Sequence, residues 1–375
     1  MVTPGIIFHK SSRAEGFFTL EEMAEKGLFS GPFAHVKHYA TSGFDGIRAV
    51  WDKTREGLYV ILLPQHVERV LKTMDFLLMR RDAARTAHDA VWKTALPCLD
   101  TTAADLLGGR LGISRPDISK FVFSDVDAGY LAEKILETVR VNVDKRFINP
   151  SNGCYIRPNF YRDSHHHNEL GVLSMRHDIV LEIAAFEWGA YLSRPPNVIV
   201  YPEGVVSPIR SHKAGANYGF AGMAKNWAVL NGFDEVLLTD RTQQRNVLEG
   251  GGENVYRVSS EGKVRTPSLD QSILPGTKRG LLVQMLRNMG VHVDEGEVPL
   301  WYFMQGRAAL FSGTAAGVIG LNAAYDPVTQ KLQVYNLQNE VSVIAQREYN
   351  EMITGGAIDQ RNEQLRDTAR TRIVL

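Results

Sequence analysis

Apolar and polar positions first fall into a readable pattern at residues 46–69, which read strand, turn, strand, helix. GIRAVW and GLYVILL flank the polar turn DKTREG, and Pro64 stands where a first-turn proline belongs. Val67, Val70, Leu71, Met74, Leu77 and Leu78 follow at helical spacing. Arg69 falls on the polar side of that helix, where an arginine is ordinarily solvated. Residues 75–150 read as mostly helical, and YLAEKILETVRVNVDKRF predicts an amphipathic helix within them. YIRPNF and IVLEIAAFEW predict strands. In the second half EVLLTD, NVYRVS and KVRTPS do the same. LPGTKRGLLVQMLRNMG predicts a turn entering a helix with Leu281, Leu282, Met285 and Leu286 on one face. NEVSVIAQREYNEMITGG predicts a late helix stopped by Gly355 and Gly356.

These elements mix helix and strand through 375 residues, enough for two cores. The run LSRPPNVIVYPEG, with Pro195, Pro196 and Pro202, is the best linker candidate. The expected organisation is an N-terminal α/β domain over 1–191 with an inserted helical region near 75–150. A linker over 192–198 and a C-terminal domain over 199–375 follow.

Composition narrows the function. Lys+Arg and Asp+Glu are both 42, so there is no excess positive charge to grip a nucleic acid. Two cysteines, Cys98 and Cys154, make neither a disulfide framework nor a zinc set, and fit a reducing compartment. The N-terminal MVTPGIIFHKSSRAEG lacks the apolar core of a signal peptide. The charge-free stretch between Arg307 and Asp326 carries too many glycines and polar residues for a membrane helix. A cytoplasmic protein with no nucleic-acid or membrane partner is expected.

Four segments carry chemistry. In SHKAGANY (211–218), Lys213 stands among small residues that let an amine approach a planar cofactor. Burial would lower its pKa and make it a nucleophile toward an aldehyde, and Tyr218 could bond a ring oxygen. In VLEGGGENVYRV (247–258), Glu249 precedes three glycines that permit tight turns near a ligand. A carboxylate there could face a pyridinium nitrogen. ILPGTKRGLL (273–282) enters a helix whose first amides, at Thr277 and Lys278, suit a phosphate. FSGTAAGV (311–318) could offer hydroxyls and amides to the phosphate's other side. No Gly-Lys-Ser/Thr follows the triple glycine, and GTAAGVIG has the wrong spacing for a dinucleotide fingerprint. His165, His166 and His167 are adjacent, so their side chains diverge, and no metal-ligand set accompanies them. A polar loop is expected there and no metal site.

The order of the four segments, lysine, glutamate before glycines, Leu-Pro-Gly, Ser-Gly-Thr-Ala, resembles the branched-chain amino-acid aminotransferase family of fold type IV pyridoxal-phosphate (PLP) enzymes. HYATSGFDGIRAV (38–50), HVER (66–69), YIRP (155–158) and AAFEWGAYL (184–192) resemble the same family, so the likeness spans about residues 38 to 318. It implies two α/β domains with pyridoxal 5'-phosphate at their interface and a homodimer. Lys213 would hold the cofactor as a Schiff base and carry the substrate proton. Glu249 would pair with the pyridine nitrogen, Tyr218 with the ring hydroxyl oxygen, and Leu274 would pack on the ring. Arg69, the amides of Thr277 and Lys278, and Thr314 would hold the phosphate. Tyr39, Phe44, Gly46, Tyr155, Trp188 and Tyr191 would line the substrate pocket. Arg157 would meet a distal carboxylate, and amides near Thr314 and Ala315 the substrate's own carboxylate.

The chain departs from the family in places. Lys278 stands where threonine is usual, Asp45 where glutamate is usual, and Gln305, Gly306 and Arg307 where Ala-Asp-Glu is common. The connection from Arg69 to Tyr155 exceeds the family's by roughly fifty residues. A lyase on the same scaffold would lack the YIRP and WGAY pair. Tyr155 and Arg157 weigh against a transaminase of D-amino acids or amines, and intact Lys213, Glu249 and Arg69 weigh against a non-enzymatic binding protein.

Overall fold

The computed structural model describes residues 5–31, 34–92, 95–96, 101–102, 108–109, 112–114, 116–163, 172–189, 192–205 and 209–375. Among them the strands form two large sheets. The first has eight strands, in the order Glu15–Phe18, Ile7–Lys10, Asp178–Phe186, Cys154–Asp163, Ile47–Asp52, Gly57–Ile61, Arg370–Ile373, with Ser42–Phe44 also on Cys154–Asp163. Every pairing in it is antiparallel.

The hairpin read from residues 46–63 is present, with Ala49 opposite Val60. Its helix runs Leu63–Phe76 with Pro64 in the first turn, and Val67, Val70, Leu71 and Met74 are buried against the sheet. Each such side chain contributes about 1.5–3 kcal/mol when fully buried, so the apolar stripe holds the helix in place. The amphipathic helix Ala128–Asp144 covers the same face with Leu131, Ile135 and Val139. Within the inserted region there are also a helix Arg81–Trp92 and a small pair of strands, Ala95–Leu96 with Thr101–Thr102. Arg162, fully buried, ties this region down by donating to the carbonyls of Leu78, Val122 and His177.

The second sheet has ten strands. Its main path is Val293–Glu295, Val264–Thr266, Asn254–Val258, Val247–Gly250, Glu235–Thr239, Asn197–Val200, Ala323–Asp326, Lys331–Val334. The strand Ala308–Gly313 pairs with Asn254–Val258 and returns as Gly317–Gly320. Asn197–Val200 is parallel to both its neighbours. The helix Thr277–Asn288 buries Leu281, Leu282, Met285 and Leu286 as expected, and Glu340–Thr354 ends at Gly355, whose φ of 87° suits a glycine. The helix Gly215–Leu230, not anticipated from the sequence, packs Ala224 and Ala228 onto Ile199, Val236 and Leu238.

The sheets are not independent along the chain. Tyr59 and Ile61 of the first sheet share one apolar cluster with Tyr256, Leu282, Leu310 and Tyr349 of the second unit. The expected division at 192–198 places the C-terminal residues with the second sheet. Instead Arg370–Ile373 pairs with Gly57–Ile61, where Ile373 joins the first core and Arg370 donates to the buried Asp52 carboxylate. His165, His166 and His167 lie outside the described residues.

Candidate active site

A cavity of about 300 Å³ opens between the sheets, at the small end of the range for ligand sites. Lys213 reaches it from the segment before the helix Gly215–Leu230. Asn217 in that helix's first turn donates to the carbonyls of Ile209 and His212, at 2.8 and 2.9 Å. The Lys213 amide donates to Thr73 Oγ1 (3.2 Å), and its carbonyl accepts from Phe44 N (3.1 Å). The small residues around Lys213 therefore serve close backbone approach as well as cofactor access. A Cβ on Gly215 would lie 2.2 Å from Ser42 Oγ. Lys213 Nζ donates to Tyr218 Oη at 2.6 Å and lies 5.0 Å from the centre of the Phe44 ring. Burial, then the charges of Arg69 and Arg157, push the amine down to about 7 against the pull of Asp45 and Glu249. A sizeable neutral fraction at neutral pH follows.

Glu249 sits in a small annex whose wall, including Tyr218, Gly251 and Leu274, is shared with the cavity. Its Oε2 accepts from Leu274 N at 3.1 Å, and its Oε1 from Arg210. Burial raises the carboxyl's pKa, and Arg210 is the strongest opposing influence. Asn254 braces the Leu274–Gly276 turn by donating to Leu274 O at 3.0 Å, and a Cβ on Gly276 would lie 2.0 Å from Asn254 Oδ1. Glycine at 276 is thus a packing requirement.

The third wall combines Arg69 of the helix Leu63–Phe76 with the start of the helix Thr277–Asn288. Arg69 is only 8% exposed, contrary to its place on the polar side of the helix. It is drawn inward by Asp45, fully buried, which accepts from Arg69 Nε (3.0 Å) and Nη2 (2.6 Å). His66 Nδ1 lies 3.1 Å from the same carboxylate, and His66 Nε2 lies 3.2 Å from Thr277 Oγ1. Burial alone would raise Asp45, but Arg69 and His66 outweigh it and hold the carboxyl far below its usual range. Burial holds His66 down at about 4, against Asp45's pull, so it is neutral at pH 7. Thr277–Asn288 begins at Gly276 with no side-chain cap. Lys278 is 2% exposed and lines the cavity, yet its Nζ has no hydrogen-bond partner among the described residues. Burial and Arg69 push this amine to about 7. Thr314 and Ala315 line the cavity from the turn between Ala308–Gly313 and Gly317–Gly320. The Ser312 hydroxyl, also in the lining, is bonded to Tyr256 Oη at 2.8 Å.

The fourth wall is aromatic. Phe44, Gly46, Tyr155, Arg157 and Trp188 all line the cavity. Tyr155 and Arg157 share a strand face, as alternation requires, and Arg157 Nη2 donates to Tyr155 Oη at 2.9 Å. Trp188 stands edge-on to Tyr155, with centroids 4.4 Å apart. A Cβ on Gly46 would lie 1.9 Å from Tyr155 Oη, so glycine makes room for the phenol. Tyr39 does not line the cavity of this chain. It ends the helix His35–Tyr39 with its ring 4.5 Å from that of His35 and is 38% exposed. Helical packing on His35 turns it away. Tyr191 lies outside the described residues.

Arg210, Asp45's buried pairing, His66 and Asn254 escaped the sequence reading. So did Glu253, which lines the cavity beside the ion pair of Lys225 with Glu235 and is pushed up to about 8 by burial and Glu235. The HxxR spacing of His66 and Arg69 was the one available signal.

The family model for class IV amino-transferases matches residues 44–324. A probable branched-chain-amino-acid aminotransferase of Aquifex aeolicus is 25% identical over 343 residues, 86% of this chain and 89% of the relative. One of Staphylococcus aureus (strain MRSA252) is 26% identical over 281 residues, 68% and 75% of the two chains. Among solved structures, the branched-chain aminotransferase of Thermoproteus uzoniensis with norvaline superposes with a TM-score of 0.74 at 20% identity, over 99% of this chain and 100% of the other. The branched-chain amino acid aminotransferase of Thermobaculum terrenum in its PLP-form gives 0.72 at 16% identity, over 100% of this chain and 99% of the other. With its lysine and helix-start walls around one cavity, its glutamate in the adjoining annex, and a family match over most of its length, the chain belongs to the class IV aminotransferases, enzymes that work with pyridoxal 5'-phosphate.

Proposed function

We propose that this PLP-dependent aminotransferase moves an amino group between a branched-chain or related apolar L-amino acid and a 2-oxo acid such as 2-oxoglutarate. The observation that carries the reading is Lys213: a half-buried lysine whose amine is held by Tyr218, in a cavity with an aromatic wall and an anion-suited cradle and with a carboxylate annex beside it.

The residues fit the cofactor. A phosphate has an uncapped helix start at Thr277, the Arg69 guanidinium and the Lys278 amine, without a partner among the described residues, to meet it. The Thr314–Ala315 turn supports a further contact with the phosphate or with a substrate carboxylate. A pyridine nitrogen has Glu249, and Leu274 offers an apolar side to pack on the ring. When bound, PLP supplies an aldehyde for the amine and a ring that accepts the electron pair left by a departing α-proton.

Lys213, partly neutral near pH 7, is fit to join that aldehyde and to take and return a proton at Nζ. Tyr218 Oη fixes where Nζ points. Phe44, Tyr155 and Trp188 exclude water and favour an apolar side chain, whereas Arg157, whose buried Nε has no hydrogen-bond partner among the described residues, can grip the second carboxylate of glutamate. A homodimer with cytoplasmic residence completes the proposal, by analogy with the family.

Purified protein should absorb in the visible as a protonated imine, and borohydride should fix the cofactor on Lys213. A donor screen against 2-oxoglutarate then identifies the substrate. A label on another lysine, or no turnover of any apolar amino acid, refutes the reading.

A further inference from the structure

Arg210 is three residues ahead of Lys213, on the short segment that Asn217 pins to the start of Gly215–Leu230. Its side chain is 4% exposed. One Nη donates to Glu249 Oε1, and its Nε has no partner among the described residues. The Arg210 guanidinium and the Leu274 amide act on Glu249 by hydrogen bonds and Lys213 through its charge, Glu253 and Tyr218 face it across the annex, and burial adds to these. A carboxyl enclosed like this tends to keep its proton unless a cation compensates.

The proton state of Glu249 decides what it can do for a pyridine nitrogen. An ionised carboxylate accepts a hydrogen bond from a protonated ring. A neutral carboxylic acid donates its proton into the bond, and the ring nitrogen remains an uncharged acceptor. Only the protonated ring is a strong electron sink. The aldehyde carbon and the ring nitrogen lie para to each other on the cofactor. One four-residue segment, Arg210 to Lys213, therefore governs both ends of that axis, with Lys213 at the aldehyde and Arg210 behind the carboxylate.

We propose that Arg210 is a positioning residue that keeps Glu249 ionised and thereby sets the proton on the cofactor's ring nitrogen. This rests on the PLP reading above and adds a residue outside the family's motif. An alternative is an ion pair that only fastens the Arg210–Lys213 segment to the sheet, as many partly buried pairs do.

The test uses the full chain reconstituted with PLP or with its deaza analogue, in which carbon replaces the ring nitrogen. Dissociation constants are measured for wild type, Arg210→Gln and Arg210→Lys, and an isotope-labelled ring nitrogen is read by solid-state NMR. Arg210→Gln should weaken PLP by about tenfold while leaving the deaza analogue unchanged, because only PLP has the charge-assisted bond to lose. The ring-nitrogen signal should move to its unprotonated position in Arg210→Gln and stay protonated in Arg210→Lys. Equal weakening of both cofactors assigns Arg210 to loop fastening and overturns the proposal, as does a protonated ring in Arg210→Gln. Should that variant fail to fold, the wild type decides: its ring nitrogen must remain protonated from about pH 6 to about pH 9, and loss of the proton within that window overturns the proposal. A wild-type chain that binds neither cofactor refutes the PLP reading itself, an outcome distinct from all of these.

Discussion

Replacing Lys278 by methionine removes one charge from the cavity while keeping most of the side chain's volume. The amine is buried, lines the cavity and has no acceptor among the described residues, so a bound phosphate dianion would be its counter-ion. A charge-assisted hydrogen bond of this kind contributes about 1.5–3 kcal/mol, which is roughly ten- to a hundredfold in affinity. The pH dependence gives a sharper signature. The amine's pKa is held at about 7 by burial, Arg69 and Arg48, against Asp45. A neighbouring dianion raises it, so binding takes up a proton. The contribution is then fully present below about pH 7 and fades as pH rises toward the pKa of the complex, by up to about tenfold per pH unit. Below about pH 6 the phosphate itself begins to lose its second charge, so affinity should peak near neutrality. Lys213 titrates in the same range, so both arms should carry Lys213→Ala. Binding of pyridoxamine phosphate, followed by calorimetry in buffers of different ionisation enthalpy, should show proton uptake with Lys278 and little with Lys278→Met. Identical pH slopes for the two proteins would refute the argument.

Three further perturbations follow from the same geometry. Asp45→Asn should destabilise the cofactor-free chain by about 3–5 kcal/mol in urea unfolding, because it strips a buried guanidinium of its counter-charge, and saturating PLP should restore part of the loss; a change within error of zero would show that Arg69 needs no such partner. Arg157→Met should lower kcat/KM for glutamate roughly ten- to a hundredfold and leave leucine within a few-fold, and equal losses would make Arg157 structural. Gly46→Ala should push Tyr155 off Arg157 at about 1–3 kcal/mol of overpacking, seen as a lower Tm and a raised donor KM; unchanged values of both would mean the strand gives way more easily than the geometry implies.

Period and spacing made much of this protein readable. The hairpin Ile47–Ile61, the strands around Tyr155 and Ile183, and the helix Thr277–Asn288 declare themselves through side chains that alternate or recur on one face. Lys213, Glu249 and the Leu-Pro-Gly turn stood out through the order of their segments, which resembles the aminotransferase family, since each segment alone also reads as an ordinary loop or turn. What stayed hidden depends on distant partners. Asp45 looked like a mere exchange for glutamate, and only Arg69 and His66, brought to it by the helix above, give it meaning. Arg69 looked solvated for the same reason. Gly215–Leu230 carries many small residues and little amphipathic contrast, so its helical period was faint. Tyr39 matched by position, but its helix directs the ring toward His35.

The return of Arg370–Ile373 to the first sheet bears on how the chain can be cut and assembled. A fragment ending near residue 191 would leave the buried strand Gly57–Ile61 as a bare edge, with unpaired amides and carbonyls beside Leu58 and Val60. Such an edge invites pairing with another copy, so the fragment should aggregate. Conversely, a fragment starting near 199 would carry the strand with nowhere to dock. During synthesis the first sheet stays open until Arg370–Ile373 has left the ribosome, and that strand acts as its closing stave. Tags or fusions placed after Ile373 should therefore be joined through a linker that leaves the strand free to reach Asp52 and Gly57.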